Sequence, residues 1–227
     1  MNDTDAPLIE LRNVSRHFVS SNVQTRVIDD VSLEIHEGDY LAIAGPSGCG
    51  KSTLLSILGL LDSPTSGTYL LNKHQVEGFD AYQRAVLRNK EIGFVFQAFN
   101  LIGDLTVFEN VELPLKYARI ARDRRREIVM ANLAKVAMDH RAEHFPAQLS
   151  GGQQQRVAVA RGIVTKPSIL LADEPTGNLD TTNGSAIMDL LDTLNAEGMT
   201  ICLVTHDARF ASRTSRRIEL ADGKRVS

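Results

Sequence analysis

The stretch Gly45-Pro46-Ser47-Gly48-Cys49-Gly50-Lys51-Ser52 constrains this chain more than any other feature. It fits the pattern G-x-x-x-x-G-K-[ST]. It follows an apolar run at residues 40–44 that reads as a strand, and it opens residues 51–61, which read as a helix. A phosphate chain is highly negative, and glycines let the backbone wrap it closely and aim N–H groups inward. The helix that starts near Gly50 adds unsatisfied donors and the positive end of its dipole. Lys51 is placed to bridge β- and γ-phosphates. The Ser52 hydroxyl is placed to ligate Mg²⁺, with Thr53 helping from the next position. Cys49 reads as a small filler within the loop. The alternative, a glycine-rich turn with no ligand, is disfavoured by the strand and helix on either side.

A second pole is acidic. Residues 168–172 form an apolar run that ends in Asp173 and Glu174. Ligands of open parallel sheets sit at the carboxyl ends of the strands. An acid there holds the Mg²⁺ that bridges the phosphates, which is the role expected of Asp173, through water. Glu174 then lies beside the γ-phosphate, where it polarises an attacking water. Two acids can also complement a helix dipole and do no chemistry. Their pairing with the phosphate loop favours catalysis.

Between and around these poles, strand-sized apolar runs alternate with helix-period stretches. Strands are expected at residues 8–14, 31–35, 40–44, 68–71, 91–96, 168–172 and 200–204, with a terminal hairpin at 218–226. Helices are expected at 51–61, 81–89, 151–164 and 182–197. This alternation predicts an α/β domain with a mostly parallel sheet covered on both faces. Residues 168–172 and 200–204 lack polar alternation, as central strands do. Residues 98–149 contain no convincing strand and read as two or three helices, one near 123–138. The run 122–127 is a charge cluster that reads as a solvated helix face.

The bulk numbers agree with a globular protein. The chain has 227 residues, 43% hydrophobic and 23% charged, with a formal net charge of -3. That balance gives no support to a nucleic-acid binder. The two cysteines, Cys49 and Cys202, have no zinc-like spacing and read as reduced thiols. Residues 1–7 lack the basic and apolar regions of a secretory leader. No run reaches the roughly 18 apolar residues of a membrane span. If the protein works at a membrane, something else holds it there.

Leu149-Ser150-Gly151-Gly152-Gln153 makes the resemblance specific. It looks like the signature motif of ABC-type ATPases. Physically, Ser150 can cap a helix that starts at Gly151, and the two glycines expose N–H groups to an anion. Gln97 resembles that family's Q-loop glutamine, Asn178-Leu179-Asp180 its D-loop, and His206 its switch histidine. Phe18 lies where such proteins stack an aromatic on adenine, although it is also a candidate core residue. The match runs from about residue 8 to 226. It implies a P-loop NTPase core with an N-terminal antiparallel β portion and a helical signature subdomain inserted at about residues 98–164 of a single domain.

The resemblance also implies a head-to-tail dimer. Each ATP would lie between the phosphate loop of one subunit and Ser150, Gly151, Gly152 and Gln153 of the other. Gln97 would touch the Mg²⁺ or water, His206 the γ-phosphate, and Asp180 would cross the interface. Segments 58–67, 94–101, 109–114 and 172–180 resemble the macrolide-export and lipoprotein-release branch. Phe99-Asn100 stand where lipoprotein-release members tend to have paired histidines, which leans towards export. Such a subunit is expected at the cytoplasmic face of the inner membrane, held by a permease near Phe99–Leu105. The rival readings are a division-type ABC ATPase that activates envelope hydrolases and a non-transport ABC ATPase.

Overall fold

The computed structural model describes residues 6–20 and 23–226; residues 1–5 of the N-terminal segment read above lie outside them. In chain order the strands and helices are β1 Ile9–Ser20, β2 Val23–Ile35, β3 Tyr40–Ala44, α1 Lys51–Leu58, β4 Ser66–Leu71, β5 His74–Gln75, α2 Ala81–Glu91, β6 Ile92–Phe96, α3 Val107–Tyr117, α4 Arg122–Lys135, α5 Gly151–Ile163, β7 Ile169–Asp173, α6 Thr181–Ala196, β8 Thr200–Val204, α7 Ala208–Ala211, β9 Arg216–Ala221 and β10 Lys224–Arg225. They form two compact units. One runs to Ala85 and resumes at Gly198; the other is Val86–Glu197.

The first unit holds two sheets. β2, β1, β4 and β5 lie side by side in that order, all antiparallel. β3 lies between β8 and β9 and is parallel to both, and β10 closes the expected terminal hairpin on β9. Every residue of β3 and β8 is buried, as expected of runs that are apolar but for Thr200. Cys202 sits in this core, and burial pushes its thiol up to about 12, out of reactive range.

β1 and β2 are longer than the sequence suggests. The register slips between Leu11 and Val14 and again at Arg16. Asn13 (φ 50°) and Asp30 (φ 57°) take left-handed backbone, and Asn13 Nδ2 donates to Asp30 Oδ1 at 2.8 Å. Asn and Asp tolerate that conformation better than other side-chain-bearing residues. These irregularities interrupt the alternation that otherwise marks a strand. Helix α1 stops at Leu58, short of residue 61, because Leu60 goes left-handed (φ 55°) and Leu61 N–H closes back on Ser56 O at 2.9 Å.

In the second unit β6 and β7 pair in parallel. Residues 98–149 hold α3, α4 and two short 3₁₀ turns, and no strand among the described residues. A capping box between Thr106 and Glu109 starts α3. Asn110 is 0% exposed. Its Nδ2 donates to the carbonyls of Ile102, Leu105 and Thr106 at 2.9–3.1 Å, and its Oδ1 accepts from Ile102 N–H at 2.8 Å. One buried amide thus fixes the end of the loop, residues 102–106, that precedes α3. The charge cluster at 122–127 is a solvated face, as read: only Arg125 turns inward, to Glu112 at 3.2 Å.

Tyr69 ties the first unit's antiparallel sheet to α1. It is fully buried, and its hydroxyl donates to Leu58 O at 2.6 Å. Burial raises its phenol well above the ordinary range, so it remains a donor at any working pH. Tyr69→Phe leaves that carbonyl unpaired and is expected to cost about 1–3 kcal/mol. Urea unfolding of parent and variant measures this; an unchanged midpoint would mean that the bond contributes nothing.

Candidate functional site

In the first unit the phosphate loop joins β3 to α1. Gly45 (φ 150°) and Gly50 (φ 104°) hold its two ends. A Cβ on Gly45 would strike Leu220 O, and one on Gly50 would lie 2.6 Å from Val27 O. Only glycine fits at either position. The loop is bolted from below, with Gly223 N–H donating to Cys49 O at 3.1 Å, and Cys49 is buried as a small filler.

Pro46, Ser47 and Gly48 form the exposed rim. Lys51 is 7% exposed, and its Nζ donates to Gly45 O at 2.8 Å and Pro46 O at 2.7 Å. The ammonium is therefore held over the loop by the loop's own carbonyls. Helix α1 begins with no side-chain cap and no acid in its first turn, so its leading N–H groups and dipole face the loop unneutralised. Ser52 is exposed at this start, and Thr53 is half-buried.

Parallel registers align the reactive ends. Ile43 pairs with Val204, so Gly45 and His206 each stand two residues beyond a paired position. Thr205 N–H reaches Ile43 O, and His206 follows it, exposed. Asp207 caps α7, and the Arg209 guanidinium holds its carboxyl below the usual carboxylate range. In the second unit Phe96 pairs with Asp173, which sets Gln97 and Glu174 side by side as the next residues of neighbouring strands.

Glu174 has left-handed backbone (φ 44°), a conformation that costs a non-glycine residue about 1–3 kcal/mol and concentrates at functional sites. Gly177 N–H donates to Glu174 O at 3.0 Å and closes the turn. Gln97 lies against Gly177 and exchanges hydrogen bonds with Asn178: its Nε2 donates to Asn178 Oδ1 at 3.2 Å, and its carbonyl accepts from Asn178 Nδ2 at 3.0 Å.

Ser150 caps α5 as expected and does so in a full capping box. Its Oγ accepts from Gln153 N–H at 3.4 Å, and Gln153 Oε1 accepts from Ser150 N–H at 2.9 Å. The box leaves the Gly151 and Gly152 amides without an intrahelical partner. Both glycines have a further use that the motif does not announce. A Cβ on Gly151 would be 3.4 Å from Leu179, and one on Gly152 would be 2.5 Å from Asn183 Oδ1. Asn183 in turn gives its backbone and side-chain N–H groups to Asp180, the cap of α6, at 2.9 and 2.6 Å.

Phe18 is not a core residue. Its ring is 44% exposed beneath the Arg16 guanidinium, 4.7 Å from the centroid, and Arg16 is held by Asp62 at 2.8 Å. Gln155 escapes motif reading altogether. It is 0% exposed, and its Nε2 donates to Phe96 O at 3.2 Å and Pro175 O at 2.7 Å. A glutamine inside the apolar face of a helix is the only sequence signal it leaves.

A glycine loop of the phosphate-loop pattern, a strand ending in two acids and a capped signature helix are the features of a P-loop cassette. A family model described as ABC transporter matches residues 28–177. The chain is 50% identical over 226 residues to the macrolide export ATP-binding/permease protein MacB of Rhodospirillum rubrum, covering 100% of this chain and 35% of that one. It is 47% identical over 219 residues to YknY, an uncharacterized ABC transporter ATP-binding protein of Bacillus subtilis, covering 96% and 95%. The chain spans about a third of the length of the macrolide-export relatives.

Among solved structures it resembles the dimeric bacterial ABC transporter cassette MJ0796, with a TM-score of 0.89, 43% identity and 96% and 97% coverage. A post-hydrolysis state of that cassette, bound to ADP and Pi, matches at TM-score 0.89 and 42% identity. The chain belongs to the ABC transporter family. Among its described residues no helix is long and apolar enough to cross a membrane.

Asp180 yields a pH prediction. The Asn183 backbone amide, and then its side chain, hold the Asp180 carboxyl below the usual range. Its stabilising effect is therefore complete above the ordinary Asp pKa of about 3.9 and is lost as pH falls through the lowered folded value. Asp180→Asn is expected to lower Tm by a constant amount between about pH 5 and 8, with the gap closing below about pH 4. Thermal melts across that range check this, and a pH-independent gap would contradict it.

Proposed function

We propose that this cassette drives an export-type or envelope-spanning ABC machine as an ATP-sandwiched homodimer, docked on a membrane permease at the cytoplasmic face. The observation that carries the dimer is a second anion-ready helix start. The first turn of α5, like that of α1, contains no acid, and it offers the half-exposed Gly151 amide beside Ser150. One triphosphate needs one such cradle. Head-to-tail pairing of two copies gives each ATP a phosphate loop from one and a signature start from the other, with Asp180 at the seam.

Within each site Lys51 and the loop amides hold the β- and γ-phosphates, Glu174 polarises the attacking water, His206 contacts the γ-phosphate and Gln97 senses it. Phe18, exposed, stacks on adenine. Mg²⁺ fits these residues. No cluster of three His, Cys, Asp or Glu exists among the described residues, and Mg²⁺ favours one or two protein oxygens, waters and substrate phosphates over an all-protein cage. Ser52 and Gln97, with Asp173 through water, would hold it, and it would neutralise phosphate charge. Residues 98–164 serve as the helical signature subdomain.

Docking falls to the loop that Asn110 fixes. Ile102 is 47% exposed and Phe99, Leu101 and Leu105 are half-exposed, so these side chains do not form a closed core. The MacB relatives are named for macrolide export, which supports the export-type reading.

Glu174→Gln is expected to slow hydrolysis about 10²-fold or more while keeping ATP bound. Its mass in solution should shift from monomer to dimer on adding ATP. Parental turnover would remove Glu174 as the base, and a monomer with ATP would remove the nucleotide-driven homodimer. Leu101→Asp or Ile102→Asp should abolish co-purification with the permease. Normal co-purification would place the docking surface elsewhere.

A further inference from the structure

We propose that Gln155 and Arg161, both on α5, are positioning residues for hydrolysis that grip the chain on either side of Gln97. The inference rests on the reading that Gln97 and Glu174 act at the γ-phosphate. Gln155 holds the carbonyl of Phe96, the residue before Gln97, and the carbonyl of Pro175, the residue after Glu174. One buried amide thereby sets the spacing between the two chain segments that carry the sensing and the catalytic side chains.

Arg161 holds the far side. Its Nη2 donates to Phe99 O at 2.9 Å and its Nη1 donates to Asn100 O. Phe99 (φ 60°) and Asn100 (φ 52°) are consecutive left-handed residues, a costly arrangement that the guanidinium stabilises by taking both carbonyls. No carboxylate pairs with Arg161 among the described residues, and the half-buried guanidinium is partly desolvated, which lowers its pKa. A half-buried cation satisfied by carbonyl dipoles is a poor device for stability alone, since an apolar side chain avoids its desolvation. Its fixed fork is a good device for holding two adjacent carbonyls in one geometry.

Helix α5 is also seated directly on the strand that leads to Gln97. A Cβ on Gly93 would collide with the Gly162 carbonyl oxygen, and one on Gly162 would lie 3.0 Å from Phe94 O. No side chain separates the two backbones. A displacement at Ser150, where α5 starts, is thus carried by a packed helix to both flanks of Gln97, with two side chains as the grips.

The test crosses Arg161→Ala and Arg161→Lys with Gln97→Ala in the full chain, measuring kcat and KM for ATP and the Tm of each protein. Arg161→Ala is expected to lower kcat about tenfold with KM within about twofold, because small misplacements of reacting groups cost this much or more. Arg161→Lys should recover part of the loss, since an ammonium can still meet one carbonyl. On the Gln97→Ala background, Arg161→Ala should change kcat by less than about twofold, as expected when one residue acts through the other.

Equal losses on both backgrounds, or a parental kcat in Arg161→Ala, would overturn the proposal. Gln97→Ala with parental kcat would instead remove the reading of Gln97, and the proposal with it. If Arg161→Ala does not fold, the Arg161→Lys cycle decides by the same criterion.

Discussion

Parallel strands that end in step are what the rest of this structure depends on. The hydrogen-bond register between β3 and β8 brings Gly45 and His206 to matching positions. The register between β6 and β7 does the same for Gln97 and Glu174. A slip of one residue would turn every side chain of a strand to the opposite face. Such a slip is resisted because each strand is buried and closely packed, so its side chains would no longer fit their neighbours. The chemistry at the strand ends therefore inherits its precision from burial several residues away.

Rigid strands alone do not place a loop. Past each strand end the backbone turns sharply, and three of the residues that do so are left-handed without being glycine: Glu174, Phe99 and Asn100. Such conformations persist only where surrounding contacts over-determine them. Gly177 N–H holds Glu174, and Arg161 holds Phe99 and Asn100. The second unit thus concentrates its buried polar groups where the backbone is least regular. Gln155 and Asn110 belong to the same scheme, since each is fully buried and each spends its amide on loop carbonyls.

Much of this was legible in the sequence. The phosphate loop is readable because close contact with an anion restricts the residue types to Gly, Lys and Ser. Strands β3 and β8 are legible to the residue, since short apolar runs broken by no more than Thr200 have few other uses. Strands β1 and β2 were read short because left-handed Asn13 and Asp30 break their alternation. Two-residue β5 and four-residue α7 carry no period to detect. Gln155 and Arg161 were illegible because glutamine and arginine in a helix normally mark its solvent face. Only the fold turns theirs inward. The exposure of Phe18 was equally out of reach, since an aromatic in a strand reads as core or as site alike.

Helix starts sort the molecule's helices by task. Helices α3, α5 and α6 each begin with a side-chain cap, from Thr106, Ser150 and Asp180. Helix α1 begins at a left-handed glycine with none. A cap consumes an amide that an anion would otherwise use, so the bare start of α1 is what a phosphate site requires. Asp180 adds a negative charge to the start of α6 and makes that end unfit for an anion. Helix α5 lies between these cases. Its neutral box uses the Gln153 amide, orients the first turn and leaves the two glycine amides ahead of it to an acceptor from outside the helix. A helix built in this way keeps its shape with or without a ligand, which suits the nucleotide-facing role proposed for its start.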